Sequence, residues 1–205
     1  GHGIHYWLSR RQKLLNYDAP LVLAETASVF AEILLTRHLL AEAQSPAVRR
    51  SLLCDTLEEM YGTVFRQTAL TRFEMLAHSR RQTGQLTADD IGALWWQEQE
   101  KVFGDSVEMI PAYRWGWTYI PHFIHSRFYC YSYSFGELLT LALFQRYLDE
   151  GEAFVPDYLR LLESGGSQRP EHALAQLGID INQPEFWDRG FRVIEGFLAD
   201  LQATL

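Results

Sequence analysis

The chain has 205 residues, of which 47% are hydrophobic, 14% aromatic and 21% charged, a balance that excludes a disordered tail or a fibrous repeat. Its 18 Lys and Arg stand against 26 Asp and Glu, for a formal net charge of −8. The basic runs Arg10-Arg11, Arg49-Arg50 and Arg80-Arg81 are too short for the stripe that displaces counterions from nucleic acid, so no nucleic-acid partner is expected.

No apolar stretch approaches the ~20 residues of a membrane span, and the first residues have neither the basic nor the apolar region of a secretion signal. Cys54 and Cys130 lie far apart without a C-x-x-C partner, which fits a reducing compartment better than a disulfide framework. The chain has no initiator Met and opens directly into a helical pattern, so it reads as the carboxyl-terminal piece of something longer.

In chain order, Ile4, Trp7 and Leu8 predict a helix from Gly1 to about Lys13, with Arg10, Arg11 and Lys13 in its last turn. Asn16 to Pro20 reads as a loop. A second helix is predicted from Leu21 to about Ala43, with Leu21, Ala24, Ser28, Ala31, Leu35 and His38 or Leu39 along one side. Ser45-Pro46 starts a third segment of helix formers, interrupted only by Gly62, that runs to about Gln82.

Thr87-Ala-Asp-Asp90 predicts a capped helix ending at Gly104. Residues 105–121 lack periodicity. Helix is expected again from about His122 to Asp149, from Glu152 to Glu163 and from Pro170 to Leu177, with a capping box at Asn182 to Glu185 opening the last helix. Almost nothing alternates with period two, so the fold is read as all-α, without a linker long enough to divide it.

His2 and His5 are three residues apart and share a helix face. At ~1.5 Å per residue, a hairpin turning through Pro20 brings Glu25 back to the level of His2, so one imidazole and one carboxylate face a common point. Glu32, seven residues beyond Glu25, falls on the same face; it reads either as a group orienting a metal-ligand histidine or as a solvated glutamate. Asp18 reads as an Asx turn or cap, with a similar orienting role as the alternative.

Gly1-His2-Gly-Ile-His5 resembles the end of an H-E-x-G-H zinc motif cut after its third residue. Leu23-Ala-Glu25 through Glu32 resembles the downstream glutamate motif of the zinc oligopeptidases related to thimet oligopeptidase and oligoendopeptidase F. Ile120-Pro-His122-Phe, followed by Phe128-Tyr129-Cys-Tyr131-Ser-Tyr133, is similar to the His and Tyr substrate segment of that family, and Ser164-Gly-Gly-Ser167 to another of its motifs. These motifs span most of the chain in the family's order.

The resemblance implies that residues 1–205 are the carboxyl-terminal portion of one peptidase catalytic domain, truncated inside the metal motif. His2 and Glu25 would be the second and third ligands of a Zn2+ ion, and the first histidine and the general-base glutamate would lie four and three positions before His2. It also implies cleavage of short peptides in the cytoplasm by zinc-activated water, with His122 and Tyr129 or Tyr133 donating to the oxyanion.

The spacing leaves open which tyrosine serves, and places Tyr131 off the His122 face, towards the core. With two of three ligands and no base, the piece alone is expected to be inactive and to bind zinc weakly or not at all. Its expected partners are peptide substrates, the amino-terminal half of the same enzyme and, through apolar surface left uncovered, further copies of itself. The reading of a different class is a non-catalytic helical interaction module. His38, His78 and His172 show no partner pattern and read as surface or capping residues.

Overall fold

Helix formers dominate the chain, and a computed structural model describing residues 1–205 contains helices and no strand. The α-helices are α1 (His2–Ser9), α2 (Thr26–Glu42), α3 (Pro46–Met60), α4 (Gln67–Thr83), α5 (Ala88–Phe103), α6 (His122–His125), α7 (Tyr131–Glu150), α8 (Val155–Glu163), α9 (Pro170–Ala175) and α10 (Pro184–Gln202). Two compact units emerge, one of residues 1–60 and 135–205 and one of residues 61–134. Both boundaries fall where helical segments run on, which is why no linker marks them in the sequence.

In the first unit α1 packs on α2 and α8, while α3 packs on α2 and α10. Its core joins Leu23, Phe30 and Ile33 to Leu53 of α3, Leu139, Leu143 and Phe144 of α7, and Val193 and Phe197 of α10. Phe30 stacks on Tyr158 with ring centroids 4.3 Å apart, and the Tyr158 hydroxyl donates to the Thr26 carbonyl at 3.1 Å. That pair ties the first turn of α2 to α8.

The second unit is built on Leu70, Phe73, Trp95, Ile120 and Cys130. The Trp95 indole donates to the Tyr113 carbonyl at 2.9 Å. A Cβ at Gly116 would stand 3.0 Å from the Trp95 ring, so glycine lets the chain lie against the indole. The cap at Thr87 forms as expected, with its hydroxyl accepting from the Asp90 N–H while the Asp90 carboxylate accepts from the Thr87 N–H.

Several predicted elements change on folding. The first helix stops at Ser9 with Arg10 as its C-cap, so no cation sits in its last turn. The second begins at Thr26 after a 3-10 turn over Leu21–Leu23, and its buried side is Thr26, Ala27, Phe30, Ile33 and Leu40. Leu21, Leu35 and Leu39, expected inside, are exposed, because α2 carries apolar residues all round and its periodicity does not single out one stripe.

Gly62 does not simply interrupt a helix; a π-helical stretch over Tyr61–Arg66 joins α3 to α4. The helix expected from His122 is broken between His125 and Tyr131. Gln183 rather than Asn182 caps α10, and its side chain makes no capping bond. Asp180 instead accepts from the Asn182 N–H at 2.9 Å.

Candidate active site

Gly1 allows the hairpin to close. A Cβ there would lie 2.1 Å from the Ser28 Cα and 2.4 Å from the Ala27 carbonyl carbon, so the start of α1 rests directly on the α2 backbone. His2, the next residue, thereby places its Nε2 3.4 Å from the Glu25 Oε2. Ser28 completes the contact: its hydroxyl donates to Glu25 Oε2 at 2.8 Å and stands 3.4 Å from His2 Nδ1. With its proton on Glu25, the Ser28 oxygen is an acceptor for an Nδ1–H, the tautomer that leaves the Nε2 lone pair facing Glu25.

Both side chains are about half exposed, at 56% and 44%, and open onto a cavity of about 310 Å³ lined also by His5, Tyr6, Ser9, Tyr17 and Asp18. His5 shares the face of His2 but is buried. Burial first, and then the neighbouring His2, hold its pKa below the ordinary histidine value.

The loop that carries Asp18 is held from behind by the Gly165-Gly166 pair. The Gly166 N–H donates to the Asn16 carbonyl at 2.8 Å, and a Cβ at Gly166 would come 2.4 Å from the Asp18 carbonyl oxygen. Gly165 adopts φ +48°, where a side chain would also meet the Asn16 carbonyl at 2.7 Å. The small residues of that motif are thus explained by backbone contact with the hairpin loop.

Glu32 is paired with Glu59 of α3; burial, a hydrogen bond with Glu59 and the Glu59 charge raise its pKa. Glu137 of α7 is buried in the same unit. Burial, then the charges of Glu32, Glu59 and Glu25, push its carboxyl up to about 7. Sequence reading did not find this carboxylate cluster, since Glu137 sits in an apolar helix with no motif around it.

In the second unit His122 opens α6, and Tyr129 follows in the break before α7. Their rings stack with centroids 5.0 Å apart and planes 24° from parallel. Tyr133 meets both edge-on, at 6.0 Å from His122 and 5.4 Å from Tyr129. The three residues therefore gather, though by a turn rather than along one continuous helical face. Tyr131, expected towards the core, is 43% exposed.

His78 was expected to lack a partner; its Nε2 lies 4.0 Å from the Glu74 carboxylate and its ring rests against Phe128. Cys130 is buried, and burial, then the Glu74 charge, push its thiol up to about 11.

The sequence model of peptidase family M3 matches residues 1–193. The chain belongs to peptidase family M3. This M3 chain is 32% identical to oligopeptidase PepF of Bacillus subtilis over its whole length, which is 31% of that relative. It is likewise 32% identical to group B oligopeptidase PepB of Streptococcus agalactiae, over 98% of this chain and 34% of the relative.

Among solved structures, oligoendopeptidase-F from Enterococcus faecium superposes with a TM-score of 0.82 at 29% identity, covering 100% of this chain and 37% of that one. A Chlamydophila abortus protein described as a peptidase reaches 0.90 at 28% identity, covering 100% and 35%. The M3 chain thus spans about a third of the length of the curated relatives it matches, and it shares its all-helical fold with the matching part of the two solved structures.

The donor set of the M3 chain fits zinc in kind. An imidazole nitrogen and a carboxylate oxygen converge at 3.4 Å, close to the ~3.3 Å that separates two ligand atoms of one tetrahedral ion with ~2.0–2.1 Å bonds. No group of three His, Cys, Asp or Glu side chains gathers as a metal site anywhere in the chain. No helix is long and apolar enough to cross a membrane.

Proposed function

We propose that the chain is part of a zinc-dependent oligopeptidase that hydrolyses peptide bonds of short peptides in the cytoplasm. The observation that carries this reading is the His2–Glu25 contact across the α1/α2 hairpin, in a chain of peptidase family M3. His2 and Glu25 would hold the ion with a histidine from outside these residues. A zinc ion there supplies a Lewis acid and brings the pKa of water towards neutrality.

Ser28 orients both ligands, donating a hydrogen bond to the Glu25 carboxylate and accepting one from His2 Nδ1. The general base is also supplied from outside these residues, so the 205 residues alone are inactive. His122, with Tyr129 or Tyr133, donates hydrogen bonds to the scissile carbonyl oxygen, whose charge grows as water adds; donors fixed before the reaction need no reorganisation when that charge appears. The amide nitrogen then leaves with a proton, giving one carboxylate and one amine.

The test uses the full-length enzyme. Glu25→Ala is expected to lose both bound zinc, measured by metal analysis, and peptide hydrolysis. Retention of stoichiometric zinc would remove Glu25 from the site. The coding sequence immediately before Gly1 is a second check: it must read His-Glu-x, and any other triplet ends the peptidase reading.

A further inference from the structure

Phe128 is the one non-glycine residue of the chain in the left-handed region, with φ 55°. That conformation is strained for a bulky L-residue and persists only where its surroundings hold it. Here the hold is identifiable. The Phe128 N–H donates to Glu74 Oε1 at 2.7 Å, a charge-assisted bond of short length. The Phe128 ring lies against His78, with centroids 4.9 Å apart, and His78 Nε2 is 4.0 Å from the same Glu74 oxygen.

Glu74 is 2% exposed, and its second oxygen, Oε2, has no hydrogen-bond partner. A buried carboxylate with one idle oxygen is a poor device for stability, because removing its charge from water costs more than one hydrogen bond returns. What it does locally is set a turn. The residue after Phe128 is Tyr129, whose N–H donates to the Ser126 carbonyl at 3.1 Å and whose ring stacks on His122. The chain leaves α6 at Ser126, whose backbone is non-helical at φ −146° and ψ 71°, and the left-handed Phe128 then turns it so that Tyr129 comes back against His122.

We propose that Glu74 is a positioning residue of the peptidase: through the Phe128 N–H it fixes the left-handed turn that lays Tyr129 on His122, and so selects Tyr129 as the phenol that works with that histidine. The effect on hydrolysis rests on the peptidase reading above; the effect on the turn does not.

The test is made on the full-length zinc enzyme with a short fluorogenic peptide, together with amide hydrogen exchange over residues 126–131. Glu74→Ala is expected to lower kcat by about tenfold to a hundredfold, the scale of loss when a reacting group is displaced by an ångström, with KM changed far less and amides 126–131 exchanging faster. Glu74→Gln keeps an acceptor oxygen and should recover most of kcat and the slow exchange. Adding Phe128→Gly to Glu74→Ala should recover part of kcat, because glycine holds φ 55° without the carboxylate.

Where the alanine cavity prevents folding, Glu74→Leu, similar in volume but without an acceptor, carries the same expectations. Equal losses in the Gln and Ala variants, or wild-type exchange at 126–131 in Glu74→Ala, would overturn the proposal. A wild-type enzyme that cleaves no peptide would instead overturn the peptidase reading, and exchange alone would then decide the role of Glu74.

Discussion

At the scale of single residues, Gly1 at the N-cap of α1 and Gly3 within it separate what the α1/α2 hairpin needs from what it tolerates. Gly1 touches the α2 backbone, whereas a Cβ at Gly3 would meet nothing within 4 Å. Gly3→Ala, in an open helical position, is therefore expected to stabilise the protein by about 0.5–1 kcal/mol, read as a raised thermal midpoint, with zinc affinity unchanged. Gly1→Ala forces α1 away from Ser28 and carries His2 off Glu25. Its expected cost is a roughly tenfold to hundredfold weaker zinc affinity in the full-length enzyme, the scale found when ligand orientation is lost. Equal zinc affinity in the two variants would show that the close approach does not set the ligand geometry. The His2–Glu25 contact is expected from a return of the chain through Pro20 and forms, although α1 ends at Ser9 and Glu25 stands at the N-cap of α2 rather than within it. The role of Gly1 is not legible in the sequence, since a close approach depends on which face of α2 turns inward.

At the scale of elements, α2, α3 and α7 bring Glu32, Glu59 and Glu137 together within the first unit. The folded protein holds a proton on Glu137 up to about pH 7, while an ordinary glutamate loses it near 4.5. Between those values the folded state binds more protons than the unfolded state, so stability falls as pH rises from about 4.5 to about 7 and is level above that. At about 1.4 kcal/mol per unit, the upper limit of the loss is roughly 3 kcal/mol. Thermal unfolding followed across this range with metal chelated should show the decline, and Glu137→Gln should flatten it. An unchanged pH profile in that variant would assign the decline to other groups.

The Gly165-Gly166 clasp on the Asn16–Asp18 loop makes a second prediction at this scale. Gly166→Ala, which would place a methyl 2.4 Å from the Asp18 carbonyl, should weaken zinc binding without contacting either ligand, as read by metal titration of the full-length enzyme. Legibility follows the same physics. The Thr87 cap and the Gly104 stop are local chemistry and can be read directly. The break between α6 and α7 cannot, because residues 126–130 contain neither Gly nor Pro and the turn depends on Glu74, far away in sequence. The buried side of α2 is equally hidden, since Leu21, Leu35 and Leu39 match the inward residues in polarity and only packing against α3 and the rest of the first unit tells them apart.

At the scale of the whole molecule, the first unit leaves apolar side chains uncovered along residues 4–15: Ile4 and Trp7 on α1, then Leu14 and Leu15, which are 88% and 95% exposed. Scattered surface leucines need no explanation, but four large apolar residues within twelve positions form the kind of patch that a folded protein normally covers. The relatives are about three times as long as this chain, and on the function proposed above further polypeptide covers this surface. The 205 residues alone are accordingly expected to self-associate, with a sedimentation coefficient that rises with concentration. The double variant Leu14→Ser, Leu15→Ser should reduce that dependence, because both side chains are nearly fully exposed and neither contributes to the core. The full-length enzyme should show little dependence with or without these substitutions. If the double variant associates as strongly as the parent chain, the patch is not the surface responsible; if the full-length enzyme associates through it as well, the remaining two thirds of the polypeptide do not cover it.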